Sequence, residues 1–192
     1  MAEHGVSALQ ALLRGEVDLV QSAPSQAFSS AQKGEKPPAL HFAQINNTDG
    51  FFIVGRTPES DFTIKNLRGH RVIVDHGGQP LHMFNYACQK AGLQLEEFEA
   101  IDAGSADEMA AAFRRGEGDY VHLQGPAPQQ LEAEGSGVVV GRVGDWVGRC
   151  AFSSLASRSD WLESDTAPSF MRAFRRARQW VNEVPAAEVA AS

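Results

Sequence analysis

The stretch Ala11-Leu12-Leu13-Arg14-Gly15-Glu16-Val17-Asp18-Leu19-Val20 returns in changed form as Ala112-Phe113-Arg114-Arg115-Gly116-Glu117-Gly118-Asp119-Tyr120-Val121. From Arg14/Arg115 to Val20/Val121 the offset is a constant 101 residues. Each copy reads as the end of an amphipathic helix, a glycine stop, an acidic turn and a short apolar strand. Each strand then meets proline, at Ser22-Ala23-Pro24 and at Gln124-Gly125-Pro126. Solenoid repeats recur every ~20–50 residues, so this spacing is too long for one. It suits two similar α/β lobes with a cleft between them.

Working outward, the clearest unit precedes the second copy. Arg71-Val72-Ile73-Val74 predicts a strand, Asp75-His76-Gly77-Gly78-Gln79-Pro80 a turn, and Leu81 to Ala91 a helix stopped by Gly92. Phe98 to Ile101 is a second strand. Ser105 and Glu108 form a capping-box pattern at the next helix start, and Tyr120 to Leu123 is the third strand. A β-α-β-α-β order predicts a parallel sheet with right-handed crossovers. Elsewhere, helices are expected at residues 6–14, 25–33, 127–134 and 165–181. Strands are expected at 19–20, 40–45, 51–54, 138–140 and 152–156. The fold class is therefore α/β, with a parallel-rich sheet in each lobe.

The repeat also sets an expectation about completeness. Displaced by 101 residues, the counterpart of Arg71 would lie about 30 residues ahead of Met1. The first lobe is thus expected to lack its opening β-α-β, and the chain to be part of a longer protein.

Bulk composition narrows the function. Of 192 residues, 43 % are apolar and 21 % charged, ordinary values for a globular protein. A net charge of −7 argues against a nucleic-acid binder, which carries a basic face. Arg172, Arg175, Arg176 and Arg178 lie on one late helix and read as a solvated face. Cys88 and Cys150 match no zinc or redox spacing. Nor does the spacing of His70, His76 and His82 give a metal geometry, so neither metal nor cofactor is expected. The first residues show no secretion-signal pattern.

Helix N-termini present unpaired N–H groups and a partial positive charge, so a glycine-rich strand-to-helix turn suits an anion. In open α/β sheets ligands collect beyond the carboxyl ends of the strands. His76, Gly77, Gly78 and Gln79 are therefore candidate ligand residues. Ser22 and Gln124 end the two repeated strands and join them. Asp49 and Gly50, before the apolar Phe51-Phe52-Ile53-Val54, and Arg149, where the chain should cross back, complete the set. His122 is one further candidate unless strand alternation turns it to a helix-packed face, and in such a place it reads as a structural hydrogen bonder rather than a ligand. Cys150 is a weaker alternative, a nucleophile whose thiol Arg149 could activate. Cys88, inside an amphipathic helix, reads as core packing.

These same residues carry a resemblance. The pattern Ala-Leu-x-x-Gly-Glu-x-Asp is followed by Asn66-Leu67-Arg68-Gly69-His70-Arg71-Val72-Ile73-Val74, then Gly77-Gly78-Gln79-Pro80. Ala91-Gly92-Leu93, Arg115-Gly116-Glu117-Gly118-Asp119 and Gly125-Pro126 complete the order. Together they resemble the type II periplasmic solute-binding proteins of ABC importers, in the NMT1/THI5-like branch with the sulfonate, nitrate and thiamine-precursor binders. The resemblance implies a monomeric two-lobed clamp that holds a small organic anion and presents it to a membrane permease. It implies an extracytoplasmic protein, periplasmic or membrane-anchored. Lobe 1 would comprise residues 1–54 and 147–192, and lobe 2 residues 55–146. The family position before Pro126 is often glutamate, and Gly125 stands there. The same fold also hosts enzymes, a desulfinase and a pyrimidine-precursor synthase, which is the alternative for Cys150.

Overall fold

The structure, a computed structural model, describes residues 8–74 and 77–191. Its elements in chain order are α1 (Ala8–Leu13), β1 (Leu19–Ser22), α2 (Ser25–Gln32), β2 (Leu40–Asn46), β3 (Phe51–Gly55) and β4 (Arg71–Ile73). Next come α3 (Gly78–Ala91), β5 (Glu99–Ile101), α4 (Ala106–Arg114), β6 (Tyr120–Gln124), α5 (Ala127–Ala133) and β7 (Val138–Arg142). The chain closes with α6 (Val143–Val147), β8 (Ser153–Ser157), α7 (Ser159–Leu162), α8 (Thr166–Glu183) and α9 (Ala186–Ala191). Single 3₁₀ turns at Ile64–Leu67 and Leu95–Glu97 precede β4 and β5.

Contacts divide the chain into two compact units. Unit 2 holds Gln44–Ser153 together with the three-residue segment Ala23–Ser25; unit 1 holds the rest.

Unit 2 is built on a five-stranded sheet in the order β5-β4-β6-β3-β7. The expected β-α-β-α-β forms its parallel part, with β4 paired to both β5 and β6. The apolar run at β3 is antiparallel to β6 and β7 and lies between them. Adjacent strand residues point to opposite faces, so each strand feeds two cores. Phe51, Ile53, Val72 and Tyr120 pack with Phe84, Ala87 and Cys88 of α3. Val54, Ile73, Val121 and Leu123 pack with Met109, Ala110 and Phe113 of α4 and Leu131 of α5. Helices on both faces explain why β3 is apolar throughout and why β6 is buried from Tyr120 to Leu123 rather than alternating.

Two end signals read from sequence are present. Ser105 Oγ accepts from Glu108 N–H, while Glu108 Oε2 accepts from Ser105 N–H at 2.7 Å. Gly92 takes φ +72° and its N–H donates to Cys88 and Gln89 carbonyls. The helix α3 begins at Gly78, three residues before the expected Leu81. Pro80 sits in its first turn, where a missing N–H removes no helical bond.

Unit 1 carries a three-stranded sheet in the order β1-β8-β2. Leu12, Val20, Ala39 and Ala156 make its buried cluster. Arg158 braces it, donating from Nη1 to the Leu12 carbonyl at 3.0 Å and the Val17 carbonyl at 3.2 Å. On α8 the cationic side chains Arg172, Arg175, Arg176 and Arg178 are exposed, as a solvated face requires.

Candidate functional site

The first turn of α3 follows β4 at the carboxyl end of the parallel strands. Gly77 is extended at the N-cap (φ −119°, ψ 138°) and, being glycine, has no capping side chain of its own. Gly78 takes φ +54°, a left-handed value that glycine adopts without a Cβ clash. Among the described residues, a Cβ built there would meet nothing within 4 Å. The N-terminus of this 14-residue helix is a place of partial positive charge. His76 and its neighbour Asp75 lie outside the described residues.

Gln79 is 7 % exposed, and both ends of its amide are used. Oε1 accepts the Ser25 hydroxyl at 2.9 Å, and Nε2 donates to the Phe152 carbonyl at 2.6 Å. The Phe152 ring lies 3.9 Å from where a Gly50 Cβ would stand, and Gln124 Nε2 lies 3.8 Å from that point. Gly125 N–H donates to the Gly50 carbonyl at 3.4 Å. Three candidates from distant parts of the chain, Gly50, Gln79 and Gln124, therefore gather around Phe152. Gln124, at the end of β6, is exposed and opposite Phe51.

Asp49 sits one residue before that group and is 7 % exposed. Its Oδ1 accepts from Phe51 N–H at 2.7 Å, whereas its Oδ2 is buried with no partner among the described residues. Burial disfavours the charged carboxylate and pushes its pKa up to about 6, against the pull of the Phe51 N–H. Arg149 is exposed, on the segment whose Cys150 N–H donates to the Asn47 carbonyl at 2.9 Å. Ser22 ends β1 in unit 1, opposite Ser154, with its buried hydroxyl unpartnered among the described residues.

Two expectations are corrected. His122 does not act as a hydrogen bonder: it is fully buried, and neither ring nitrogen has a partner among the described residues. It lies instead between the Phe51 and Phe84 rings, with centroids at 4.6 and 5.0 Å. Burial drives its pKa down to about 3, so it is neutral at physiological pH. Cys150 is not activated by Arg149. Burial first, then the Asp49 carboxylate, push its thiol up, the reverse of what a nucleophile needs. Cys88 is a core residue, its thiol pushed up to about 12 by burial.

Sequence reading missed Ser25 and Phe152. Both look local in sequence, a helix start and a strand start, yet they meet Gln79 across 54 and 73 residues.

Sheet order and helices on both faces define an α/β protein, with a fold matching that of type II periplasmic binding proteins. Solved structures agree on the fold. The periplasmic aliphatic sulphonate binding protein SsuA from Escherichia coli superposes with a TM-score of 0.68 at 18 % identity, over 86 % of this chain and 55 % of its own. The alkanesulfonate-binding SsuA from Xanthomonas axonopodis pv. citri, bound to MOPS, gives 0.59 at 19 % identity, over 80 % and 52 %. The chain belongs to the NMT1/THI5-like family, whose model matches residues 1–188. YtlA of Bacillus subtilis (strain 168), named for a binding role, is 27 % identical over 189 residues, which is 96 % of this chain and 57 % of YtlA. The chain thus spans little more than half the length of these relatives. Among the described residues no helix is long and apolar enough to cross a membrane.

Proposed function

We propose that this chain is the solute-binding component of an ABC-type importer and that it takes a small organic anion of the sulfonate class. The observation that supports the reading is the glycine first turn of α3 at the carboxyl end of the parallel strands, where Gly78 takes φ +54° and a Cβ would meet nothing within 4 Å among the described residues. Backbone N–H groups at a helix start supply donors and a partial positive charge. A sulfonate is a monoanion with three acceptor oxygens and no proton to give, which suits the N–H donors of a helix start. Gln124, with Gly50 beside it, adds a polar wall; Asp49 holds the turn into β3. His76, Arg149 and Ser22 are further proposed contacts.

The partner is a membrane permease, and the protein works outside the cytoplasm as a monomer. Names of the relatives support a binding role over catalysis. The lobe division at residues 54/55 and 146/147 is part of this proposal.

Charge and backbone strain can be separated at Gly78. Asp and Asn tolerate the left-handed conformation similarly, so Gly78→Asn reports strain and Gly78→Asp adds a charge. Isothermal titration with ethanesulfonate should show at least a tenfold weaker Kd for Gly78→Asp than for Gly78→Asn. Equal affinities would remove the anion from this turn.

A further inference from the structure

We propose that the Gln79 side chain is a positioning residue that couples the anion-binding turn of α3 to the Ala23–Ser25 segment, so that solute occupancy and the order of that segment rise together. This rests on the reading of the turn as the solute site.

Gln79 occupies the second position of α3, so its main chain belongs to the proposed anion surface. Its side chain turns the other way, into the interior. A buried amide is costly unless both its donor and its acceptor are matched, and here each end has a partner. The acceptor holds the Ser25 hydroxyl and the donor holds the Phe152 carbonyl, at 2.9 and 2.6 Å.

Neither partner is near in sequence. Ser25 ends the three-residue segment Ala23–Ser25, which belongs to unit 2 although the residues on either side of it, Ser22 and Gln26, belong to unit 1. Phe152 directly precedes β8 and shares its surroundings with Gly50 and Gln124. One side chain, held at both ends of its amide by hydrogen bonds, therefore joins three segments and fixes the helix turn relative to two of them. When an anion draws the Gly78 and Gln79 N–H groups together, the same residue tightens its hold on Ser25. When Ser25 is released, Gln79 keeps only one of its two anchors and the turn loosens. Gln79 thus acts on the solute through its backbone and on Ser25 through its amide.

The test is amide hydrogen exchange with and without saturating ethanesulfonate, on the wild-type chain, Ser25→Ala and Gln79→Leu. Calorimetric Kd values accompany it. In the wild type, ethanesulfonate should slow exchange at residues 78–82 and also at residues 22–26. In Ser25→Ala, protection at 78–82 should persist while that at 22–26 disappears, and Kd should rise about three- to tenfold, one lost hydrogen bond. Gln79→Leu should lose both anchors and rise further than Ser25→Ala.

If ethanesulfonate binds and protects 78–82 but never 22–26 in the wild type, the coupling is overturned and the solute site stands. If it does not bind at all, the solute reading fails. The anchoring claim then faces the unliganded chains alone, where residues 22–26 must exchange faster in both variants. Unchanged exchange there overturns it.

Discussion

The two copies of the repeated motif end alike and are used differently. In both, a glycine at φ +73° (Gly15) or +86° (Gly116) stops the helix. In both, the next acidic residue donates back across the turn: Glu16 N–H to the Ala11 carbonyl at 3.0 Å, Glu117 N–H to the Ala112 carbonyl at 3.1 Å. This is one Schellman-type stop written twice at a fixed offset. Beyond it the copies part. Copy two runs into β6, flanked by β4 and β3, with its first four residues buried. Copy one runs into β1, at the edge of the described three-stranded sheet, with alternating burial. Local sequence sets the helix stop; neighbours decide how much of the following strand is core.

The comparison breaks most readily at the buried helix residue three positions before each glycine stop. Phe113 is fully buried in the larger cluster, with the Arg56 guanidinium 3.6 Å over its ring. Phe113→Ala should cost ~3–5 kcal/mol, measured by urea unfolding. Leu12 is equally buried but among only three other core residues, so Leu12→Ala should cost less, ~2–3 kcal/mol. A larger loss from Leu12→Ala would contradict the ranking of the two copies.

Titration distinguishes them next, because the buried His122 and Asp49 both lie in unit 2. The His122 pKa falls from 6.5 unfolded to about 3 folded, so its contribution is whole above pH 6.5 and is lost as pH falls from there toward 3. Replacing it by leucine should remove that acid loss, several kcal/mol at full effect. For Asp49 the sign is opposite. Its pKa rises from 3.8 to about 6, so acidification from pH 6 to 3.8 favours the fold, and stability is lost as pH rises through 6. Asp49→Asn should abolish this gain, ~3 kcal/mol at most. Exchange rates of residues 120–124 should follow both effects more closely than those of residues 19–22. A flat pH profile for His122→Leu minus wild type would remove the buried neutral imidazole from the account.

Smallest and most symmetrical is the glycine pair. A Cβ at Gly15 or Gly116 meets nothing within 4 Å, so alanine there pays only the left-handed backbone strain, ~1–2 kcal/mol. Gly15→Ala and Gly116→Ala should therefore cost nearly the same by thermal unfolding. Unequal costs would mean the stops are not equivalent.

Much of this was legible in the sequence, for identifiable reasons. Periodicity and glycine stops located β4, α3, β5, α4 and β6, since these elements carry their own caps at Gly92, Ser105 and Gly116. The apolar Phe51–Val54 run read correctly as a strand, and β3 is that strand, paired on both sides. Helices α6 and α7, of five and four residues, were not read because they are too short to show a helical period. The glycine turn of the candidate site stood out locally. Its support did not: the bonds from Gln79 to Ser25 and Phe152 are tertiary, and nothing around Ser25 marks it as a partner. That His122 would lack a hydrogen bond was equally hidden, because strand alternation gives its face and not its neighbours.

The most direct test of the central claim is hydrogen exchange over the whole chain with saturating ethanesulfonate, at a concentration about 100 times its Kd, where binding adds ~2.7 kcal/mol. The account expects the strongest new protection at residues 78–82, the first turn of α3, with a smaller change near Gly50 and Gln124. Protection that appears elsewhere while 78–82 exchanges unchanged would contradict it.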